Sequence, residues 1–183
     1  MKFMKDAWRK GEVISALFLD IKGTFPSLIL MQLIHNMRTR GIPMQYTDWI
    51  HQKVSDRKTT ITFDGHASNP RTLSRGLNQG CPLSGLAFQF YNADIIDICN
   101  KKSREDTVVF VDDTLFLTCG KNLEIMNTSV KAMMERDGGL LMWSNTHQTE
   151  FTIKKIGIMG LTRQRENNPE GQLATQLIVR KYI

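Results

Sequence analysis

The chain has 183 residues, 41% of them hydrophobic, which is enough for one domain with a sizeable core. No apolar run approaches the ~18 residues of a membrane span, and the Met1-Lys2-Phe3-Met4-Lys5-Asp6 start lacks the apolar core of a signal peptide, so the chain is expected to be intracellular, neither secreted nor membrane-bound. The 24 Lys and Arg against 18 Asp and Glu give a net charge of +6, which suits a polyanionic partner without requiring one, and Cys81, Cys99 and Cys119 are too few and too scattered for a disulfide framework or a zinc knuckle.

In chain order, residues 2–11 read as a helix and 13–20 as a strand. A helix is expected over residues 27–40, with Pro26 near its start, Gly41 as its stop, and Leu30, Leu33, Ile34 and Met37 as its apolar stripe. Residues 43–54 read as a second helix with Tyr46, Trp49 and Ile50 inward. The extended run 59–63, the Asp64-Gly65 turn and a second extended piece near 71–73 predict a hairpin. A long helix is expected over residues 82–99, strands over 107–111 and 114–118, and an amphipathic helix over 121–136 that ends at Gly138-Gly139. Residues 151–161 resemble a strand, 163–171 a polar loop, and 173–183 an isolated strand-like tail. This order predicts an α+β fold with a mainly antiparallel sheet and helices packed on one face.

Two segments carry chemistry. In Phe110-Val111-Asp112-Asp113, adjacent carboxylates stand between apolar β-formers at the tight connection of a hairpin; a divalent cation is the natural remedy for like charges held so close, and an ordinary Asp-rich turn is the plainer reading. In Ser15-Ala16-Leu17-Phe18-Leu19-Asp20, a buried-looking strand delivers a lone acid to the edge of a sheet. Were those strands adjacent, Asp20, Asp112 and Asp113 could hold two hard cations through oxygen ligands, the arrangement that serves phosphoryl transfer. Basic residues gather at Arg38, Arg40, Lys53, Arg57, Lys58, Arg71 and Arg75 and again at Lys101, Lys102 and Arg104. An acidic centre in a basic surround is the layout of an enzyme acting on nucleic acid. None of His35, His51, His66 and His147 shows ligand spacing with the cysteines.

Four blocks, Asp20-Ile21-Lys22-Gly23-Thr24-Phe25, Gly76-Leu77-Asn78-Gln79-Gly80-Cys81-Pro82-Leu83-Ser84, Tyr91-Asn92-Ala93-Asp94 and Phe110-Val111-Asp112-Asp113, together resemble the reverse transcriptase domain of non-LTR (LINE-type) retrotransposons. The resemblance runs from about residue 8 to 163. It implies a polymerase palm-like sheet in a partial right-hand architecture and an RNA-directed DNA polymerase that uses an RNA or DNA template, a DNA primer and dNTP. It also implies that Asp20, Asp112 and Asp113 are catalytic carboxylates binding two Mg²⁺ ions. By the same likeness the backbone of Ile21, Lys22, Gly23 and Thr24 faces the triphosphate, Phe25 lies under the sugar of the incoming nucleotide, and Gln79 and Gly80 contact template and incoming base. Each has a plainer reading: Phe25 as a core residue, the Gly-x-x-Gln-Gly run as an ordinary loop. Asn78 and Cys81 depart from the family pattern. The Trp143-Ser144-Asn145-Thr146-His147 stretch and Lys155 resemble the family's next block, whose lysine protonates the departing pyrophosphate; Lys154 is the neighbouring candidate, and a solvent-facing lysine pair is the plainer reading.

The resemblance further leads us to expect residues 1–163 to form a palm with part of the fingers, and 164–183 a loop and truncated strand leading to a missing primer grip and thumb of a longer polyprotein. The retrotransposon lifestyle implies nuclear localisation. Two other readings stand beside the polymerase: a catalytically inactive remnant that keeps the fold and at most weak nucleic-acid binding, and another palm-type nucleotidyltransferase, which would share the acids but not the block around Gln79.

Overall fold

The computed structural model describes residues 2–163; the loop expected from residue 164 onward and the strand-like tail 173–183 lie outside them. The described residues divide into two compact units, one built from residues 2–22 together with 94–163, the other from Gly23–Ala93.

The first unit is a four-stranded antiparallel sheet with three helices. In chain order it contains α1 (Lys2–Arg9), β1 (Val13–Asp20), β6 (Glu105–Phe110), β7 (Asp113–Gly120), α6 (Leu123–Glu135), α7 (Leu140–His147) and β8 (Gly157–Leu161), with spatial strand order β6-β7-β1-β8. Central β1 is a near-continuous apolar run because both of its faces are covered over most of its length. On one face Ile14, Ala16, Leu117 and Cys119 pack with Ala7 of α1. On the other, α6 lies close: an added Cβ on Gly160 would meet Leu123 Cδ2 at 2.7 Å. Met126, Val130 and Met133 of α6 are buried there, and Asn122 caps the helix by accepting from the Ile125 amide at 2.9 Å. The α+β antiparallel expectation is thus borne out, with α1 added on the second face. The α7 helix was not foreseen.

A buried ion pair closes the far end of β6. Arg136, at the C-terminal end of α6, donates to Glu105 Oε1 at 2.8 Å and Oε2 at 2.7 Å, and the Glu105 side chain is only 4% exposed. Removing the cation would leave a carboxylate stranded among apolar strands, so Arg136→Met is expected to lower stability by about 2–3 kcal/mol, less than for a fully buried pair because the guanidinium reaches water. The urea unfolding midpoint reads this directly. Asp94 makes a second tie: it accepts from Trp143 Nε1 at 3.0 Å and lies 3.3 Å from His147 Nε2, holding α7 to the 3₁₀ segment Ala93–Ile98.

The second unit holds α2 (Thr24–Ser27), α3 (Leu30–Thr39), α4 (Met44–Val54), the short strands β2 (Arg57–Thr59), β3 (Thr62–Phe63), β4 (His66–Ala67) and β5 (Arg71–Leu73), and α5 (Pro82–Tyr91). Three expectations need correction. The helix over 27–40 begins only at Leu30, because Phe25 and Leu28 give their carbonyls to the amides of Leu77 and Gly76, both at 2.8 Å. The helix over 82–99 stops at Tyr91, whose carbonyl accepts from the buried Asn36 side chain at 3.0 Å. Of Tyr46, Trp49 and Ile50, only Ile50 is inward; Trp49 is exposed, with the Lys53 ammonium over its ring at 5.6 Å. The hairpin is confirmed at Asp64-Gly65, both at positive φ, but its arms are interrupted where Ser68 Oγ accepts from the Ile61 amide at 2.9 Å.

Candidate active site

Asp20, the last residue of β1, is the register partner of Asp113, the first residue of β7. Phe110 pairs with the same Asp113 across β6 and β7, leaving Val111-Asp112 as a two-residue turn. Three carboxylates from distant parts of the chain therefore sit at one end of three adjacent strands. Directly opposed like charges are unfavourable. Val111 has φ 56°, a position in a two-residue turn that glycine would fill without strain, whereas a β-branched side chain there is held against its preference. Such strain collects at functional turns.

A clip formed by residues 150–152 fixes the direction of Asp20. The Lys22 amide donates to the Glu150 carbonyl and the Thr152 amide to the Asp20 carbonyl, each at 2.8 Å; Ile21 bridges Phe151, and Lys22 Nζ pairs with Glu150 Oε2 at 2.8 Å. The expected strand over 151–161 consequently breaks into this bridge, a 3₁₀ turn at Ile153–Lys155, and β8. That turn brings Lys155 Nζ to Asp20 Oδ1 at 2.7 Å. Of the two lysines left open by the sequence, Lys155 is the one bonded to Asp20. Neither Glu150 nor Thr152 was singled out from sequence, since nothing in their local pattern marks a residue whose partner lies about 130 positions away.

The electrostatics follow from this geometry. Bonding to Lys155, then to Thr152, holds the Asp20 carboxyl below its ordinary range, although partial burial works the other way; its side chain is 14% exposed. The Lys155 ammonium is correspondingly raised, first by its bond to Asp20, with the charges of Asp112 and Asp113 adding to the effect. One cation thus feels all three carboxylates. A lowered folded pKa means that the stabilisation from the pair is present above the ordinary carboxylate range and is lost as pH falls through the lowered value. Lys155→Met is therefore expected to move the Asp20 titration upward, toward the ordinary range, as read by carboxyl-carbon NMR.

The three acids do not form a closed cage: among the described residues, no group of three or more His, Cys, Asp or Glu is gathered tightly enough to hold an ion as it stands. The donor set nonetheless fits hard divalent cations, because it offers only carboxylate oxygens around a point that already attracts an ammonium. Beside it opens a cleft of ≈ 480 Å³ lined by Phe18, Asp20, Val108, Phe110, Asp113, Leu115 and Lys155. Its apolar floor is the part of the sheet that α1 leaves uncovered, and Phe110 is 77% exposed.

The remaining candidates belong to the second unit. Gly23 has φ 64° and opens α2; Thr24 is buried, and half-buried Phe25 packs its ring on Phe88 at 5.7 Å. The Lys22 amide is committed to Glu150, so the stretch of backbone expected to face a triphosphate is shorter than Ile21 to Thr24. Gln79 and Gly80 are exposed in the turn before α5, with Gly80 at φ 77° and open space where a Cβ would be. The Asn78 departure has a physical account: its side-chain oxygen accepts from Arg57, whose guanidinium also donates to the carbonyls of Arg75 and Gly76. Gly76, quoted in the sequence block without a role of its own, is the most crowded of the glycines at positive φ. It has φ 84°, and a Cβ there would lie 2.8 Å from Phe25 O and Pro26 Cα.

An antiparallel sheet of this topology, with acids at a strand end and at a neighbouring hairpin turn, defines a right-hand polymerase palm. The chain belongs to the reverse transcriptase (RNA-dependent DNA polymerase) family, whose model matches residues 1–162. Over 128 residues it is 24% identical to the retrovirus-related Pol polyprotein from type-1 retrotransposable element R2 of Popillia japonica; the match covers 65% of this chain and 21% of that protein. Its fold is similar to that of apo telomerase from Candida tropicalis truncated from the C-terminal domain, with TM-score 0.65, 13% identity, and coverage of 87% of this chain and 34% of that one. A telomerase structure from the same organism with a TWJ fragment of telomeric RNA gives TM-score 0.61 at 12% identity, covering 91% of this chain and 29% of that one. The chain spans about a fifth of the length of the curated relative it matches. The non-LTR reverse transcriptase resemblance read from the four blocks is borne out.

Proposed function

We propose that this chain carries the nucleotidyl-transfer centre of an RNA-directed DNA polymerase, extending a DNA primer on an RNA or DNA template. The observation that carries the reading is the placement of Asp20, Asp112 and Asp113 at one end of adjacent hydrogen-bonded strands, with the Lys155 ammonium bonded to Asp20 and raised further by the charges of the other two. Asp20, Asp112 and Asp113 would hold two Mg²⁺ ions, which when bound supply charge neutralisation at the attacking and leaving oxygens. The chain's own residues do the rest. The 150–152 clip keeps the Asp20 carboxylate aimed at the cleft, so that little reorganisation accompanies catalysis. Lys155 is charged at neutral pH, beside the acids, and is suited to give a proton to a departing pyrophosphate. Phe25 presents a half-buried aromatic ring braced by its tilted contact with Phe88, a surface for a sugar, and the exposed Gln79-Gly80 turn offers an amide with no side-chain bulk behind it.

Primer extension on an RNA template with Mg²⁺, beside an Asp112→Asn control, tests the reading. Extension by the parent and none by the control is expected. Equal signals from both, or none from either, would favour the inactive remnant.

A further inference from the structure

We propose that the arm formed by residues 57–73 is a binding site for single-stranded nucleic acid, with Phe63 stacking on an unpaired base and Lys58 and Arg71 meeting the phosphates. This rests on the polynucleotide reading above and adds a contact to which none of the carboxylates contributes.

The arm is a ribbon whose strands pair only with one another, β2 with β5 and β3 with β4. Every residue from Lys58 through Arg75 is exposed. A two-stranded ribbon with water on both faces is marginal by itself, and a purely structural one would carry polar side chains at its tip. This tip instead carries Phe63 at 81% exposure, paired across the turn with His66, and Ile61 at 69% just behind it.

Charge points to the occupant. Residues 53–75 contain five Lys and Arg (Lys53, Arg57, Lys58, Arg71, Arg75) against two acids, Asp56 and Asp64. Arg57 is spent on loop carbonyls and Asn78, which anchors the base of the arm. Lys58 pairs in register with Thr72, and Arg71 with Thr59. Neighbouring residues of a strand face opposite ways, so these two cations stand on opposite faces of the ribbon one rung apart, and a phosphate chain wrapping round the ribbon's edge meets both. At the base, a groove of ≈ 220 Å³ lined by Ser55, Thr72, Ser74 and Arg75, with Asp56 also on its wall, continues the track with hydroxyl donors. The ring selects single strands, because an aromatic side chain stacks only on a base whose face is free, and such stacking needs no particular sequence.

The test is fluorescence anisotropy with the full chain and labelled RNA or DNA of about 12 nucleotides, single-stranded or as a duplex, without divalent cation or dNTP. The parent is expected to prefer the single strands, and the RNA and DNA arms decide which sugar is favoured. Phe63→Ala is expected to weaken single-strand binding about tenfold or more with the salt slope unchanged. Lys58→Gln with Arg71→Gln is expected to lower the slope of log affinity against log salt by about 1.4. The proposal is overturned if the parent does not bind, if both variants bind within about twofold of it, or if Phe63→Ala weakens duplex binding equally. Asp112→Asn is expected to bind like the parent. A parent that binds but does not extend strikes only the polymerase reading, and a parent that extends but does not bind strikes only this one.

Discussion

Asp20→Asn is expected to reduce nucleotide addition by about a thousandfold or more while leaving the fold intact. In the proposed reading the carboxylate contributes charge to a site that concentrates positive charge at reacting oxygens. Removing that charge forfeits several kcal/mol of transition-state stabilisation, and each ~1.4 kcal/mol is a tenfold change in rate. The fold should tolerate the change. An amide can keep the Thr152 contact, and the freed Lys155 ammonium is already in water. Single-turnover extension gives the rate, and circular dichroism shows whether the variant is folded. A folded variant within about tenfold of the parent rate would remove Asp20 from the reacting centre.

Gly76→Ala is expected to have the largest effect on stability, a loss of about 2–5 kcal/mol. Two costs combine. A side chain at φ 84° is disfavoured by about 1–2 kcal/mol, and a Cβ placed 2.8 Å from the backbone of Phe25 and Pro26 adds overpacking of about 1–3 kcal/mol. Neither neighbour can yield cheaply, because both contacts are with main chain. The same displacement would break the bonds from the Gly76 and Leu77 amides to Leu28 and Phe25, which set where α3 begins. Urea unfolding measures the loss, and a change under about 1 kcal/mol would show that the 76–77 segment does not brace Phe25.

The central part of this architecture was legible because it is written locally. An apolar run ending in Asp20 and a hairpin carrying Asp112-Asp113 each announce themselves by period and turn chemistry, and the register that sets Asp20 against Asp113 confirms that the strands are neighbours. Element boundaries failed where a distant group takes a backbone atom. The amides of Gly76 and Leu77 delay α3, Asn36 ends α5 at Tyr91, and the clip on Asp20 divides the strand expected over 151–161. The α7 helix buries Leu140, Trp143 and His147 at helical spacing, but its eight residues make a periodic signal too short to stand out in the sequence. Hydrophobicity points Tyr46 and Trp49 inward, yet α4 turns Thr47 and Ile50 to the core.

The most direct test of a shared cation site is a Mn²⁺ titration of the full chain followed by water-proton relaxation, comparing the parent with Asp20→Asn, Asp112→Asn and Asp113→Asn. If the three acids converge on one site, each substitution weakens Mn²⁺ binding while circular dichroism stays unchanged. Parent-like binding in all three variants would contradict the account.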